Sequence, residues 1–466
     1  MARRTFALPS PDLAPEFLFG LGALGVALAA GAAATVSPVL TVAAAVGVGF
    51  AAVCFRNLAA GLAFFTLLTF FERLPGSAAS GLTLVKLAGI VLTLAWLLHL
   101  RNHRTAPLFL RDRPLLAYAA IFLLGWAAAS ILWAPFPAAT RTDFMRLLQG
   151  MVLFLITFTA IRRPKHVLWV IWAYIAGALL SAVVGLVSTQ PEQFSAYGDF
   201  SRLSGGIGDP NELAAILVPA LVLSAFLLPI MRAPLVRWLL LSLVITFAAS
   251  LFLTQSRGGL VALSVVLVVT PFLAGPVRVR ALAVVFTVVA IGVGYYSYFA
   301  SPTALKHVTS FSVGSGSGRE DLWAVATAVW KAHPADGIGL GNFPLVEPAY
   351  ATRNINLPRA DLVVGQRKVV HNTYLHILTE LGVIGLIPFL VLITGCLGLA
   401  WLGVRAFARR RERRLEILAR GIVIATIGML AGFFFFSAQY EKQLWLLLGA
   451  CAGLSTIARA GEAAED

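Results

Sequence analysis

The sequence predicts an all-α fold, a polytopic transmembrane helical bundle of about 12, up to about 14, spans with a large loop carrying short helices on one face. Three observations predict it. Of the 466 residues, 59% are hydrophobic and 12% are charged, whereas a soluble domain carries roughly a quarter charged residues. The apolar residues fall in long runs, not in the alternating segments of about ten residues that build a membrane β-barrel. The basic residues gather between alternate runs, as membrane topology demands. The mean hydropathy of +0.86 excludes a soluble globular enzyme and a disordered chain. Three cysteines and no glycine period exclude a disulfide scaffold and a collagen.

The runs lie near 14–34, 36–54, 58–71, 83–100, 115–133, 145–161, 167–188, 212–230, 235–254, 258–274, 280–300, 381–404, 418–436 and 443–459. Those at 36–54 and 58–71 are the weakest, so both span counts stay open. Both counts are even, which puts the termini on one side. With the N-terminus cytoplasmic, most of the 36 Lys and Arg fall on the cytoplasmic side, including the cluster from Arg405 to Arg420. The net charge of +15 is then a product of topology, and no nucleic-acid partner is required. The first run is followed by no small-residue cleavage site and reads as a retained anchor. Cys54, Cys396 and Cys451 sit inside apolar runs and read as core or lipid-facing residues.

Two segments on the outer face stand apart from the spans, 189–211 and 301–370. A connection as long as the second is usually functional. The chain therefore divides into an N-terminal transmembrane bundle, 1–300, that includes the segment 189–211; a large loop, 301–380; and C-terminal transmembrane helices, 381–466. Within the loop, Arg319 to Lys331 has the spacing of a short amphipathic helix, with Leu322, Trp323, Ala326, Val329 and Trp330 on one stripe. A turn-rich stretch, Gly337 to Asn342, follows. A second helix is expected to open near Val370 and to run into the next span.

Metal-dependent glycosyl and phosphoryl transferases often hold a divalent ion between two acidic residues one apart, and no such pair occurs in this chain. No His-Glu-x-x-His or paired Cys-x-x-Cys occurs either. Gly314 to Gly318 matches a nucleophile elbow formally but lacks the preceding strand. The outer face offers arginine instead. Arg257 sits at the junction of two apolar runs, where it either snorkels or serves a ligand. Arg202 precedes a glycine-rich turn in which Asp209 or Asn211 suits a helix N-cap. Arg319 opens the amphipathic helix, where a cation opposes the helix dipole unless an anion offsets it. In His371-Asn372-Thr373-Tyr374-Leu375-His376, a helix would put His371 on the face of Tyr374 and Leu378. His376 would then point elsewhere and pair with Glu380 one turn on. His371 reads either as a cap-region histidine or as a general base.

These residues together resemble the O-antigen ligase and O-antigen polymerase superfamily of bacterial envelope glycosyltransferases, the ligase most. The resemblance rests on Arg202 with Gly208-Asp209-Pro210-Asn211-Glu212, Ser256-Arg257-Gly258, and Gly318-Arg319 with Trp323. It continues through His333-Pro334, Gly337 to Phe343, His371-Asn372, and Gly382-Val383-Ile384-Gly385. It implies a fold similar to C-type glycosyltransferases and an enzyme of the inner membrane, both termini cytoplasmic and the loop periplasmic. The implied donor is a glycan on undecaprenyl diphosphate, and the implied acceptor is a sugar hydroxyl of lipid A–core, with membrane lipids as further partners. By the same resemblance the reaction inverts the anomeric centre and uses no metal or other cofactor. His371 would be the catalytic base, and Arg257, Arg319 and Arg202 would bind the diphosphate. A polymerase or a protein O-glycosyltransferase would share the donor. A transporter of lipid-linked glycans is the reading from another class; the sequence shows no inverted repeat and few mid-span charges, Lys86 alone clearly so.

Overall fold

The computed structural model describes residues 38–71, 83–103, 108–187, 202–205, 208–309, 318–352, 357 and 367–462. Every regular element among the described residues is helical. The bundle helices are α1 (Pro38–Arg56), α2 (Leu58–Leu68), α3 (Leu84–Asn102), α4 (Pro114–Ala129), α5 (Pro137–Ala160), α6 (Pro164–Val187), α7 (Pro210–Leu227), α8 (Pro234–Leu253), α9 (Arg257–Leu273) and α10 (Arg278–Gly294). The loop adds α11 (Pro302–Thr309), α12 (Arg319–Ala332) and α13 (Phe343–Ala351), and the chain closes with α14 (Thr373–Arg409), α15 (Arg413–Gly432) and α16 (Lys442–Glu462).

Ten helices among the described residues are long and apolar enough to cross a membrane, and three shorter apolar ones, in α1, α2 and α9, accompany them. Each apolar run from 36–54 onward is thus a helix, and the first run, 14–34, lies outside the described residues, as does most of the segment 189–211. The run at 145–161 extends back to Pro137, because Arg141, Asp143 and Arg146 belong to the first turns of α5 rather than to a loop. Proline begins α4 through α8, where its missing N–H costs no hydrogen bond.

The most deeply placed span is α7, 83% buried in its apolar window, with α15 and α16 at 78%. The span ending at Phe299 is 17% buried and α3 22%, so these lie at the periphery. Helix α7 packs against α6, α8, α9 and α15. Cys54, Cys396 and Cys451 are buried and free, as core residues.

Contacts at the helix ends give the bundle two distinct poles. At one, Arg113 donates to Ser455 at 2.5 Å, Arg410 to the Ala458 carbonyl at 2.9 Å and Arg420 to the Leu273 carbonyl at 2.7 Å. At the other, the start of α5 meets the 337–343 loop, and the start of α14 meets the turn after α15, where Thr373 donates to the Phe436 carbonyl at 2.7 Å. The basic cluster from Arg405 to Arg420 sits at the first pole, and the loop helices sit at the second.

Helix α12 buries Leu322, Val325, Ala326 and Val329 in a small core with Ile338, Phe343 and Val370. Val325 joins the expected stripe there, while Trp323 and Trp330 flank it half-buried. The expected second helix begins at Thr373, not near Val370. Asn372 caps it, accepting from the backbone N–H groups of Tyr374 and Leu375 at 3.0 Å each.

Helix α14 is broken at Gly382, whose φ of 65° only glycine adopts without strain. The break frees carbonyls that the loop and α4 then use. Ile338 donates to the Thr379 carbonyl at 3.2 Å, Gly339 to that of Glu380 at 2.8 Å, and the Trp126 indole to that of Leu381 at 2.9 Å.

Candidate active site

Four separate pieces of chain meet at the loop pole. The first is Arg202, which donates through Nε to the Thr254 carbonyl at 2.9 Å and approaches Asn211 Oδ1 at 3.4 Å. Asp209 caps α7 by accepting from the N–H groups of Asn211 and Glu212 at 2.7 and 3.1 Å. Ser256 caps α9, accepting from Gly259 N–H at 3.2 Å, and also donates to Asn211 Oδ1 at 2.8 Å. The two helix starts are thereby stitched together. A side chain at Gly259 would collide with Ala214 on α7, so the Arg257-Gly-Gly sequence permits the close approach that brings Arg257 to the pole.

The third piece is the start of α12. Arg319 is its first residue, after Gly318 in a left-handed conformation. Trp323, one turn on, donates to the Val370 carbonyl at 3.1 Å and lies 6.1 Å from the Phe435 ring. That contact fixes α12 against the fourth piece, His371, one residue beyond Val370.

These residues act on one another electrostatically. Burial and the neighbouring Arg202 lower the Arg319 guanidinium to about 10, with Arg257 adding to the repulsion and Asp209 opposing it. Burial also lowers Arg202, against the pull of Asp209. Burial and the cation of Arg319 bring His371 down to about 4, again against Asp209. The imidazole is therefore neutral at neutral pH. Its Nδ1 is buried and has no hydrogen-bond partner. Arg202, Arg257 and Asp209 thus surround Arg319 in a partly buried space, an arrangement suited to an anion.

The four residues singled out in the sequence, Arg202, Arg257, Arg319 and His371, are thus brought together. One expectation is corrected. His371 does not lie on the helix face of Tyr374 and Leu378. It precedes the helix with φ 54°, because Asn372, not an earlier residue, satisfies the first N–H groups of α14. His376 does pair with Glu380, and the pair is buried. Their side chains are 4% and 0% exposed, and Nε2 lies 3.1 Å from Oε1. This is ion-pair range, although Nε2 makes no well-aligned hydrogen bond. His376 Nδ1 also lies 2.9 Å from Ser437 Oγ.

Sequence reading missed two participants. Asp209 has the spacing of a cap, and nothing local says that its charge faces Arg202, Arg319 and His371. Glu380 accepts from Gly341 N–H at 2.7 Å and Phe343 N–H at 3.0 Å, tying the 337–343 loop to α14. Asn342 ties the same loop to α5, accepting from Phe136 N–H and donating to Thr140, each at 2.8 Å. Among the described residues no group of three or more His, Cys, Asp or Glu stands together as a metal site.

A search of curated proteins finds no match. A family model described as O-antigen ligase matches residues 241–390. The matched segment takes in Arg257, Arg319 and His371, the 337–343 loop and the break at Gly382, and leaves out Arg202. Over residues 241–390, then, the chain is similar to the O-antigen ligase family.

Proposed function

We propose that the protein is a glycosyltransferase of the ligase type. It moves a glycan from undecaprenyl diphosphate to a sugar hydroxyl of lipid A–core, at the periplasmic face of the inner membrane. The observation that carries the reading is the convergence of Arg202 and Arg257 on Arg319, which in turn bears on the buried, unprotonated His371. The family match supports transfer of the O-antigen ligase or polymerase kind. The gathering of basic residues at the opposite pole supports a cytoplasmic assignment for that pole and both termini.

In this reading the C–O bond between the anomeric carbon and the diphosphate breaks as the acceptor oxygen attacks from the opposite face. One displacement inverts the centre. The departing diphosphate gains negative charge, and Arg202, Arg257 and Arg319 stabilise it by charge-assisted hydrogen bonds. His371 takes the acceptor hydroxyl proton and later releases it to solvent. A histidine held near 4 is a weak base. A diphosphate beside Arg319 offsets that cation and raises His371, so donor binding prepares the base for the step that follows.

The test is transfer by the purified full chain in proteoliposomes, supplied with an undecaprenyl-diphosphate-linked glycan and lipid A–core. Glycosylated lipid A–core is the expected product. Elongation of the donor glycan without use of lipid A–core would identify a polymerase, and no transfer to either would overturn the reading.

A further inference from the structure

The pole opposite the candidate active site holds a polar cavity of about 540 Å³. It lies where the end of α1, the end of α3 and the turn between α5 and α6 meet. Arg56, Arg162, Arg163 and Lys165 line it together with imidazoles that include those of His99 and His166, and among the described residues no carboxylate lines it. Asp112 bears on Arg162 from outside and is engaged with Arg111 at 3.1 Å. Charges left only by membrane topology scatter over loops. Here four cations from two distant parts of the sequence converge on one cavity.

The cavity also has an apolar wall, which includes Phe55 and Leu98. Both side chains are exposed on the outer surface of α1 and α3, as is Leu97 beside them. A ligand seated here meets cations at its head and a membrane-facing hydrocarbon surface beside it. That is the arrangement by which basic pockets between membrane helices hold lipid headgroups. Arginine and lysine together suit phosphate oxygens.

We propose that this cavity binds a phosphate-bearing anion, in the membrane the headgroup of an anionic phospholipid whose acyl chains lie along α1 and α3. The site is separate from the transfer chemistry and does not rest on it.

The test is native mass spectrometry of the full chain in neutral detergent, with phosphatidylglycerol, phosphatidylcholine or inorganic pyrophosphate added. The wild type should retain phosphatidylglycerol over phosphatidylcholine. Combining Arg162→Gln, Arg163→Gln and Lys165→Gln should weaken that retention about tenfold or more. Combining Arg405→Gln, Arg409→Gln and Arg414→Gln, which removes three exposed charges elsewhere at the same pole, should leave it in place. Equal loss in both variants would overturn the proposal in favour of general charge. Binding of pyrophosphate with no preference for phosphatidylglycerol would keep the phosphate site and overturn its assignment to lipid. If the first variant does not fold, a photoreactive phosphatidylglycerol on the wild type decides. Crosslinks in 95–103 and 160–166 support the site, and crosslinks confined to 405–415 overturn it.

Discussion

His371 combines a left-handed backbone, an unpartnered buried nitrogen and a lowered basicity at one position. His371→Asn removes the imidazole while keeping a residue that tolerates φ of 54°. Transfer should fall about 10²–10⁴-fold, the usual loss for a general base, with thermal unfolding little changed. A variant that transfers at the wild-type rate would remove His371 from the chemistry. The pH dependence follows from sign. The fold favours neutral imidazole, so this residue's contribution to stability is full above 6.5 and is lost as pH falls toward about 4. The free-enzyme kcat/KM should likewise hold down to the region of pH 4 before it declines. Arg319→Gln removes a cation that depresses His371, so the acid limb should move to higher pH while the rate drops. Arg257→Lys keeps the charge and loses the planar fork. It should lower transfer about tenfold or more while the chain still inserts, as measured by transfer at matched folded amounts. Equal activity would mean that Arg257 only snorkels.

At the scale of elements, the site depends on the break in α14 and on the loop that uses it. Glu380→Ala would leave two buried backbone N–H groups, those of Gly341 and Phe343, without acceptors. Each such loss costs about 1–3 kcal/mol, and the midpoint of thermal unfolding should drop accordingly. His376→Ala should also destabilise, since the ring is buried between Glu380 and Ser437. The surviving folded fraction should still transfer, because His376 faces this polar cluster and not the arginines. Loss of transfer at full stability would reverse the assignment of the two histidines. Much of this level is legible in the sequence. The stripe of α12 follows from its spacing, and so does its start at Arg319. The start of α14 is not legible, because His371, Asn372 and Thr373 all suit a helix end. The choice falls to Asn372 only when Trp323 holds Val370 and the Phe436 carbonyl takes Thr373.

Over the whole molecule, the two poles carry different chemistry, one gathering arginine around a histidine and the other gathering arginine for topology and a cavity. Neither the sequence nor the described residues offer an acidic metal site. Transfer should therefore be unchanged by EDTA. Loss on chelation, restored by Mg²⁺ or Mn²⁺, would overturn the metal-free reading. The sequence by itself determined the helical class and the apolar runs that become long helices, because run length is a local property read one segment at a time. It also marked Arg202, Arg257, Arg319 and His371, because charged and polar residues beside apolar runs are costly enough to stand out locally. Only the tertiary structure decided that those four share one space with Asp209, that His376 and Glu380 are buried, and that Arg56 meets Arg162 around a cavity. Each of these joins residues distant in the chain, and such pairing depends on how helices pack, which no local pattern records.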